Sequence, residues 1–221
     1  MPHYFGFVPS TKLATMIDEY DELLAGDPAE YSLYPHRDAV TKQIASEIID
    51  NLLVSLIDVI PNPERKAKMQ NIVGTIQSST DTMLGVILGK DKNKDILPSV
   101  DYLKKDTMFT DDEGQTRIGF QLSPDKAQTI IEGFEAVTPD NVDDKKFKQS
   151  LETMNHAVLH HFIGEFTDTL PLGFIKRKSV PIAQAGIKKG LDMATGKLFP
   201  QLPIDAKNRL ANFYRPFIVE V

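Results

Sequence analysis

Residues 36–89 carry apolar side chains at helical spacing in two long segments, and this pattern constrains the fold more than any other feature of the chain. In the first segment, two adjacent rows of apolar residues repeat every four positions, which predicts a helix buried over more than half of its circumference. In the second, the apolar positions follow a heptad-like seam: Met69, Val73, Ile76, Thr80, Met83 and Ile87. Asn62 as a cap and Pro63 at the first helical position separate the segments. A connection this short predicts an antiparallel hairpin of residues 36–60 and 63–89.

Start and stop signals predict further helices on both sides of this hairpin. Ser10 is the expected cap of a first helix, which Gly26-Asp27-Pro28 ends. Ser123-Pro124-Asp125 and Thr138-Pro139-Asp140 each combine a hydroxyl cap, a proline and an acid. They predict a short helix and then a long helix that reaches about Thr169.

The middle and the ends of the chain have strand-like patterns. Asp111-Asp112-Glu113-Gly114 is a turn signal, and residues 116–122 alternate polar and apolar. Together they predict a minor β element around residues 108–122, with which the segments 4–8 and 217–221 could pair. The predicted fold is therefore a mainly α-helical, bundle-like domain with a minor β element. It spans residues 1–221, with a subdivision near residues 90–122 as the alternative.

The apolar positions of the three main helices predict a shared core. Its members are expected on the inward faces of the hairpin and of the long helix: Ile48, Leu52, Leu56, Val73, Ile76, Met83, Leu151, Val158 and Phe162.

Composition limits the class of protein. Hydrophobic residues make up 41% of the chain, enough for a substantial core. The absence of Cys excludes thiolate nucleophiles and Cys-ligated metal sites. The N-terminal residues lack a cationic region and a long apolar run, and Glu47, Asp50 and Asp58 interrupt the apolar stretch from residue 44 to 60. We therefore expect neither a secretory signal nor an integral membrane segment, and we expect a soluble, cytoplasmic protein.

Charge is unevenly distributed along the chain. From residue 171 to the C-terminus there are nine Lys or Arg residues against three Asp or Glu, whereas the preceding residues have sixteen against twenty-eight. The net charge of −6 argues against nucleic-acid binding. The basic amphipathic segment 176–197 is a candidate for binding an anionic membrane surface. Its candidate binding residues are Lys176, Arg177, Lys178, Lys188 and Lys189. Since the rest of the chain is acidic and small residues lie one turn apart in this segment, we expect the segment to pack against the acidic body of the protein rather than bind lipid.

Titratable residues on the predicted long helix form a second candidate site. At about 100° per residue, His161 and Glu165 fall near the apolar face, whereas His156 and His160 fall on the opposite, outward side. Helical bundles build metal sites from inward-facing Glu and His side chains, which makes His161 and Glu165 candidate metal ligands. A hydrogen-bonded structural pair is the simpler interpretation, and the one we expect.

A third candidate resembles part of a calcium-binding loop. Asp91, Asn93 and Asp95 supply oxygen ligands at the first, third and fifth positions of an EF-hand-type loop. Ile96 replaces the glycine of the sharp turn, and Tyr102 replaces the closing glutamate. The pattern therefore argues weakly for calcium.

Three functions remain open at this stage. The first is a non-catalytic interaction or regulatory protein that works through helix-surface contacts, because the sequence contains no Ser-His-Asp arrangement, phosphate-binding loop or nucleotide fingerprint that would predict catalysis or a cofactor. The second is a metal-dependent bundle enzyme using His161 and Glu165. The third is a peripheral binder of anionic surfaces through residues 176–197.

Overall fold

The N-terminal part of the chain forms a strand followed by a capped helix. The computed structural model describes residues 1–26 and 32–221. Strand β1 (His3–Phe7) leads into helix α1 (Thr11–Ala25). Ser10 caps α1 as predicted, because its Oγ accepts a hydrogen bond from the backbone N–H of Leu13 at 3.2 Å. The Asp27-Pro28 part of the predicted stop signal lies outside the described residues.

The predicted helix hairpin is confirmed. Helix α2 (Tyr34–Ile49) continues through a π-helical turn (Asp50–Val54) and a final α-helical turn (Ser55–Ile57). After a short connection, α3 (Pro63–Ile87) begins with Asn62 as its cap. All six seam positions of α3 are buried, as their spacing predicts.

The predicted β element follows the next helix. Helix α4 (Asn93–Lys105) leads to the strands β2 (Met108–Thr110) and β3 (Thr116–Gln121), which pair antiparallel. Gly114 in the connecting turn has φ of 78°, a left-handed conformation that glycine adopts without strain. The Asp111 carboxylate accepts hydrogen bonds from two backbone N–H groups of the same turn. The hairpin is therefore stabilised within its own turn.

The second half of the chain begins with α5 (Pro124–Glu135) and α6 (Asp144–Leu159). Helix α6 continues through a second π-helical turn (His160–Glu165) and a final α-helical turn (Phe166–Asp168). The predicted end near Thr169 is therefore confirmed.

The predicted start of this long helix at Thr138 is wrong. The structure caps α6 with Asp143, whose carboxylate accepts hydrogen bonds from the backbone N–H groups of Lys145 and Lys146. Thr138 instead closes a turn with Asn141, and each residue donates its backbone N–H to the other. The Thr138-Pro139-Asp140 pattern therefore forms a turn, and Asp143 caps the helix five residues later.

The C-terminal region consists of two helices and a last strand. Helix α7 (Phe174–Met193) continues through a third π-helical turn (Ala194–Leu198). It is followed by α8 (Ile204–Tyr214) and β4 (Ile218–Glu220).

The four strands form one antiparallel sheet in the order β2-β3-β1-β4. Phe5 of β1 lies opposite Phe120 of β3 on one side and Ile218 of β4 on the other. The two terminal segments thus join the central hairpin, as their patterns predict.

The buried apolar residues form a core that includes α2, α3, α6 and α7. Seven of the nine predicted core residues are buried, and Ile48 and Phe162 are partly buried and pack against that core. Helix α7 lies against α3, and α5 lies against α6. Within the described ranges, no helix is both long and apolar enough to cross a bilayer.

Candidate functional site

His161 lies in the π-helical turn at the end of α6, with its ring in the core. Its exposed fraction is 5%. The imidazole stacks on Phe120 of β3, with ring centroids 4.4 Å apart, and meets Phe162 edge-on at 5.0 Å. Helix α6 and the sheet therefore fix the ring between them.

Three polar side chains contact the imidazole, and together with it they form what we call the groove cluster: Tyr102, Thr107, His161 and Glu165. Nδ1 of His161 lies 2.9 Å from Oε2 of Glu165, and Nε2 lies 3.1 Å from Oγ1 of Thr107. The Tyr102 hydroxyl lies 3.0 Å from the same Glu165 oxygen and 2.8 Å from Nδ1. One assignment satisfies all four groups: Nδ1–H and the Tyr102 hydroxyl donate to the Glu165 carboxylate, and the Thr107 hydroxyl donates to Nε2.

The pKa shifts of these groups agree with that assignment. Burial lowers the pKa of His161, against the opposing effect of the Glu165 carboxylate. For Glu165, burial raises the pKa, but the hydrogen bonds from Tyr102 and His161 outweigh it, so the pKa is lowered overall. Burial and the adjacent Glu165 raise the pKa of Tyr102. At neutral pH the cluster therefore holds a neutral imidazole, a carboxylate and a neutral phenol.

The groove cluster opens onto solvent on the Glu165 side. The Glu165 side chain is 49% exposed and lies at a groove of about 480 Å³ between α4, α6 and the sheet. In the part of the chain that the structure describes, no three His, Cys, Asp or Glu side chains are grouped so that they could hold a metal ion. The groove cluster supplies two side chains of these types, His161 and Glu165, which are hydrogen-bonded to each other, and Tyr102.

The outward histidines of α6 lie where helical spacing places them. The side chains of His156 and His160 are 50% and 63% exposed. His156 lies 3.7 Å from Asp192 of α7, and His160 lies 3.7 Å from the second carboxylate oxygen of Glu165. Neither histidine enters the core.

The calcium-like segment is used for packing instead. Asp91 binds the fully buried Arg37 at 3.0 Å, and Asn93 Oδ1 accepts the backbone N–H of Leu33 at 3.0 Å. Because α4 already begins at Asn93, this segment does not form a twelve-residue loop.

The basic candidates on α7 point mostly to solvent. Arg177, Lys178, Lys188 and Lys189 are exposed, whereas Lys176 is half-buried with its ammonium beside Gly89, at the end of α3. Arg177 lies 3.9 Å from Asp168, and both side chains are mostly exposed. Lys188 pairs within the helix with Asp192 at 2.6 Å.

Helix α7 packs on the body through its other side, where its small residues lie. The expected pairing of its basic side chains with the acidic body is limited, in the described part of the chain, to the contact between Arg177 and Asp168. Val180, Ile187, Gly190 and Leu191 are buried there. A Cβ atom on Gly190 would lie 2.7 Å from Cγ1 of Ile76, so only glycine allows this approach of α7 to α3. The packing between α7 and α3 is therefore apolar.

Three large apolar side chains share the solvent side of α7 with the lysines. Phe174, Ile175 and Ile182 are 73%, 83% and 75% exposed. We call these side chains and their basic neighbours the outward face of α7: Phe174, Ile175, Arg177, Lys178, Ile182, Lys188 and Lys189. The sequence carries a signal for it, since the three apolar residues fall outside the row of Ala183, Ile187 and Leu191 that points inward.

Comparisons with known proteins give no family for this chain. No protein-family model matches it, and neither curated proteins nor solved structures show a significant similarity to it.

Proposed function

We propose that this protein is a non-catalytic interaction protein that binds an anionic lipid surface peripherally, through the outward face of α7. The observation that carries the proposal is the exposure of Phe174, Ile175 and Ile182 at 73–83% on a basic helix. Single exposed apolar residues are common, but large ones gathered on one helix face are typical of interaction surfaces.

The spacing of these residues supports one continuous contact. Ile175, Ile182 and Lys189 are seven residues apart, and Phe174, Lys178 and Lys188 lie on the neighbouring stripe. Seven residues are about two helical turns, so residues at this spacing lie on one side of the helix. The neighbouring stripe lies beside them and faces the same solvent side. A flat surface can contact all of them at once.

Charge favours an anionic partner. Helix α7 holds five basic residues and one acid, although the whole chain has a net charge of −6. Near an anionic leaflet, each Lys or Arg contributes about 1 kcal/mol. The acidic body is repelled by the same leaflet, which orients the protein with α7 toward the lipid.

A lipid interface also accommodates the apolar side chains. A basic amphipathic helix lies in the interface with its apolar residues about 5–10 Å deep, and its cations remain among the headgroups. Lys178 already covers the Phe174 ring, with Nζ 4.2 Å from the ring centroid. An acidic protein surface would pair with the cations but would leave Phe174, Ile175 and Ile182 partly exposed.

Vesicle sedimentation tests the proposal. Wild type should sediment with vesicles containing 30 mol% phosphatidylserine, a composition of about one anionic lipid in three, and remain in solution with pure phosphatidylcholine. Lys178→Ser/Lys188→Ser/Lys189→Ser should weaken binding about a hundredfold, the equivalent of three charges. Phe174→Ser/Ile175→Ser/Ile182→Ser should also abolish sedimentation.

Matched variants control for charge and surface polarity. Lys145→Ser/Lys146→Ser/Lys148→Ser removes three exposed lysines of α6, and Leu97→Ser removes an exposed apolar residue of α4. Both should bind as wild type does. If wild type ignores anionic vesicles, or if the α6 variant loses as much binding as the α7 variant, the proposed lipid-binding function is wrong.

A further inference from the structure

The interior of the helical core contains an apolar cavity that is independent of the groove and of α7's outward face. It has a volume of about 80 Å³ and lies between α2, α3, α6 and α7. Its lining is aliphatic and aromatic apart from three residues, Thr41, Thr80 and Asn155. Such lining excludes ions and strongly polar molecules, because the cost of desolvating them would not be recovered.

Two π-helical turns shape this cavity. Leu52 and Leu53 come from the turn in α2, and Phe162 and Ile163 come from the turn in α6. A π-helical turn inserts an extra residue into a helix and is frequent at functional sites. The third such turn, Ala194–Leu198, contributes no lining residue. Two interruptions, one in α2 and one in α6, thus lie at the cavity.

A polar group belongs to the same lining. Thr41 is 7% exposed, and its hydroxyl has no hydrogen-bond partner among the described residues. A buried hydroxyl without a partner is unfavourable by about 1–3 kcal/mol. Threonine in a helix has two accessible χ1 rotamers, so a small rotation can bring this hydroxyl to a ligand.

From these observations we infer that the cavity is a binding site for a small apolar molecule with one polar end, of the size of a short-chain alcohol. Its volume is about half of the ~150 Å³ that suffices for benzene in an engineered cavity. A benzene ring or a longer alkyl chain is therefore too large, and the size fits a short-chain alcohol such as ethanol. The polar end would meet Thr41, and the chain would lie among Ile48, Leu52 and Phe162.

Ligand-induced thermal stabilisation provides the test, with two small probes: ethanol, and propane, which has a methyl group in place of the hydroxyl. Both should raise the melting temperature of wild type relative to the cavity-filled variant described below, ethanol more strongly. Thr41→Val keeps the side-chain shape and removes the hydroxyl. It should weaken ethanol binding about two- to tenfold, the range of one neutral hydrogen bond, and leave propane binding unchanged.

A cavity-filling variant and its control locate the site. Ala45 lines the cavity, so Ala45→Leu should abolish the stabilisation by both probes. Ala14→Leu is the same change at a partly buried position of α1 outside the cavity. Both probes should stabilise this variant as they stabilise wild type. If Ala45→Leu does not fold, Ile48→Phe fills the same space from the same helix. Unchanged binding in a folded filling variant, or no stabilisation of wild type by either probe, would overturn the inference.

Discussion

In the groove cluster, every polar side chain contacts another polar group, whereas on the outward face of α7 three large apolar side chains contact water. His161 is 5% exposed and has hydrogen-bond partners at both ring nitrogens. Ile175, on a helix that packs firmly against α3, is 83% exposed. The first arrangement stabilises the folded chain by itself, and the second becomes favourable only when something covers it. The groove cluster therefore stabilises the fold, whereas α7 carries the exposed face that we propose as the binding surface.

Replacing His161 should have the largest effect on stability. His161→Ala removes a buried ring that stacks on Phe120 and leaves Thr107 and Tyr102 without one of their contacts. We expect a loss of about 2–4 kcal/mol in the free energy of unfolding, by analogy with other large-to-small core changes. Denaturant unfolding measures it. His156→Ala, a half-exposed position on the same helix, should stay within about 0.5 kcal/mol.

Replacing Glu165 should cost less than replacing His161. Glu165→Ala removes the acceptor for both His161 and Tyr102. Because the carboxylate is 49% exposed, water can take its place, so we expect about 1–2 kcal/mol. A loss below about 0.3 kcal/mol would show that the pair adds nothing to stability. A metal site would give a different result: chelator would lower the stability of wild type, and either substitution would remove that effect.

The inner side of α7 provides a paired glycine test. Gly190→Ala places a methyl group 2.7 Å from Ile76. The overpacking outweighs the gain in helix propensity, so the free energy of unfolding should fall by about 1 kcal/mol. At Gly186 the nearest atom, Oγ of Ser79, would be 3.7 Å away. Gly186→Ala should therefore stabilise by up to about 1 kcal/mol. Equal effects at both positions would contradict the close contact between α7 and α3.

Much of the fold could be predicted because its signals are local. The caps at Ser10 and Asn62, the seam of α3 and the turn at Gly114 all depend on residues within a few positions of one another. The predicted start of α6 at Thr138 was wrong because Thr138 closes a turn with Asn141, and Asp143 caps the helix instead.

The candidate site could be predicted only in part. The spacing of His161 and Glu165 predicts that they meet, and they do. It also predicts that Glu165 faces inward. The π-helical turn over residues 160–165 changes the angle per residue, and Glu165 lies half-exposed instead. Tyr102 and Thr107 are 59 and 54 residues away from His161 in sequence. No local pattern indicates a contact over that distance.

Acid should weaken the groove cluster in a defined direction. The pKa of buried His161 is lowered in the folded protein, so the unfolded chain binds the proton more readily. Stability should therefore fall as pH drops below about 6.5, the ordinary histidine pKa. The pKa of Glu165 is also lowered, and its contribution should be lost at more acidic pH, through its folded pKa. Unfolding between pH 7.5 and 5.5 should show a smaller loss for His161→Phe, which cannot titrate, than for wild type.

The smallest expected effect on stability is at Ile182, and it tests directly whether the outward face of α7 is exposed in the folded protein. Ile182 is 75% exposed and lies on the side of α7 opposite the buried residues Val180 and Ile187. Ile182→Ser therefore removes almost no buried contact, and the free energy of unfolding should change by less than about 0.5 kcal/mol. The same change on the inner side, Ile187→Ser, should cost several times more, because it adds a buried hydroxyl to a lost core side chain. Denaturant unfolding of the two variants compares them directly. A cost at Ile182 equal to that at Ile187 would mean that its side chain is covered in the folded protein, and the exposed face on which lipid binding depends would not exist.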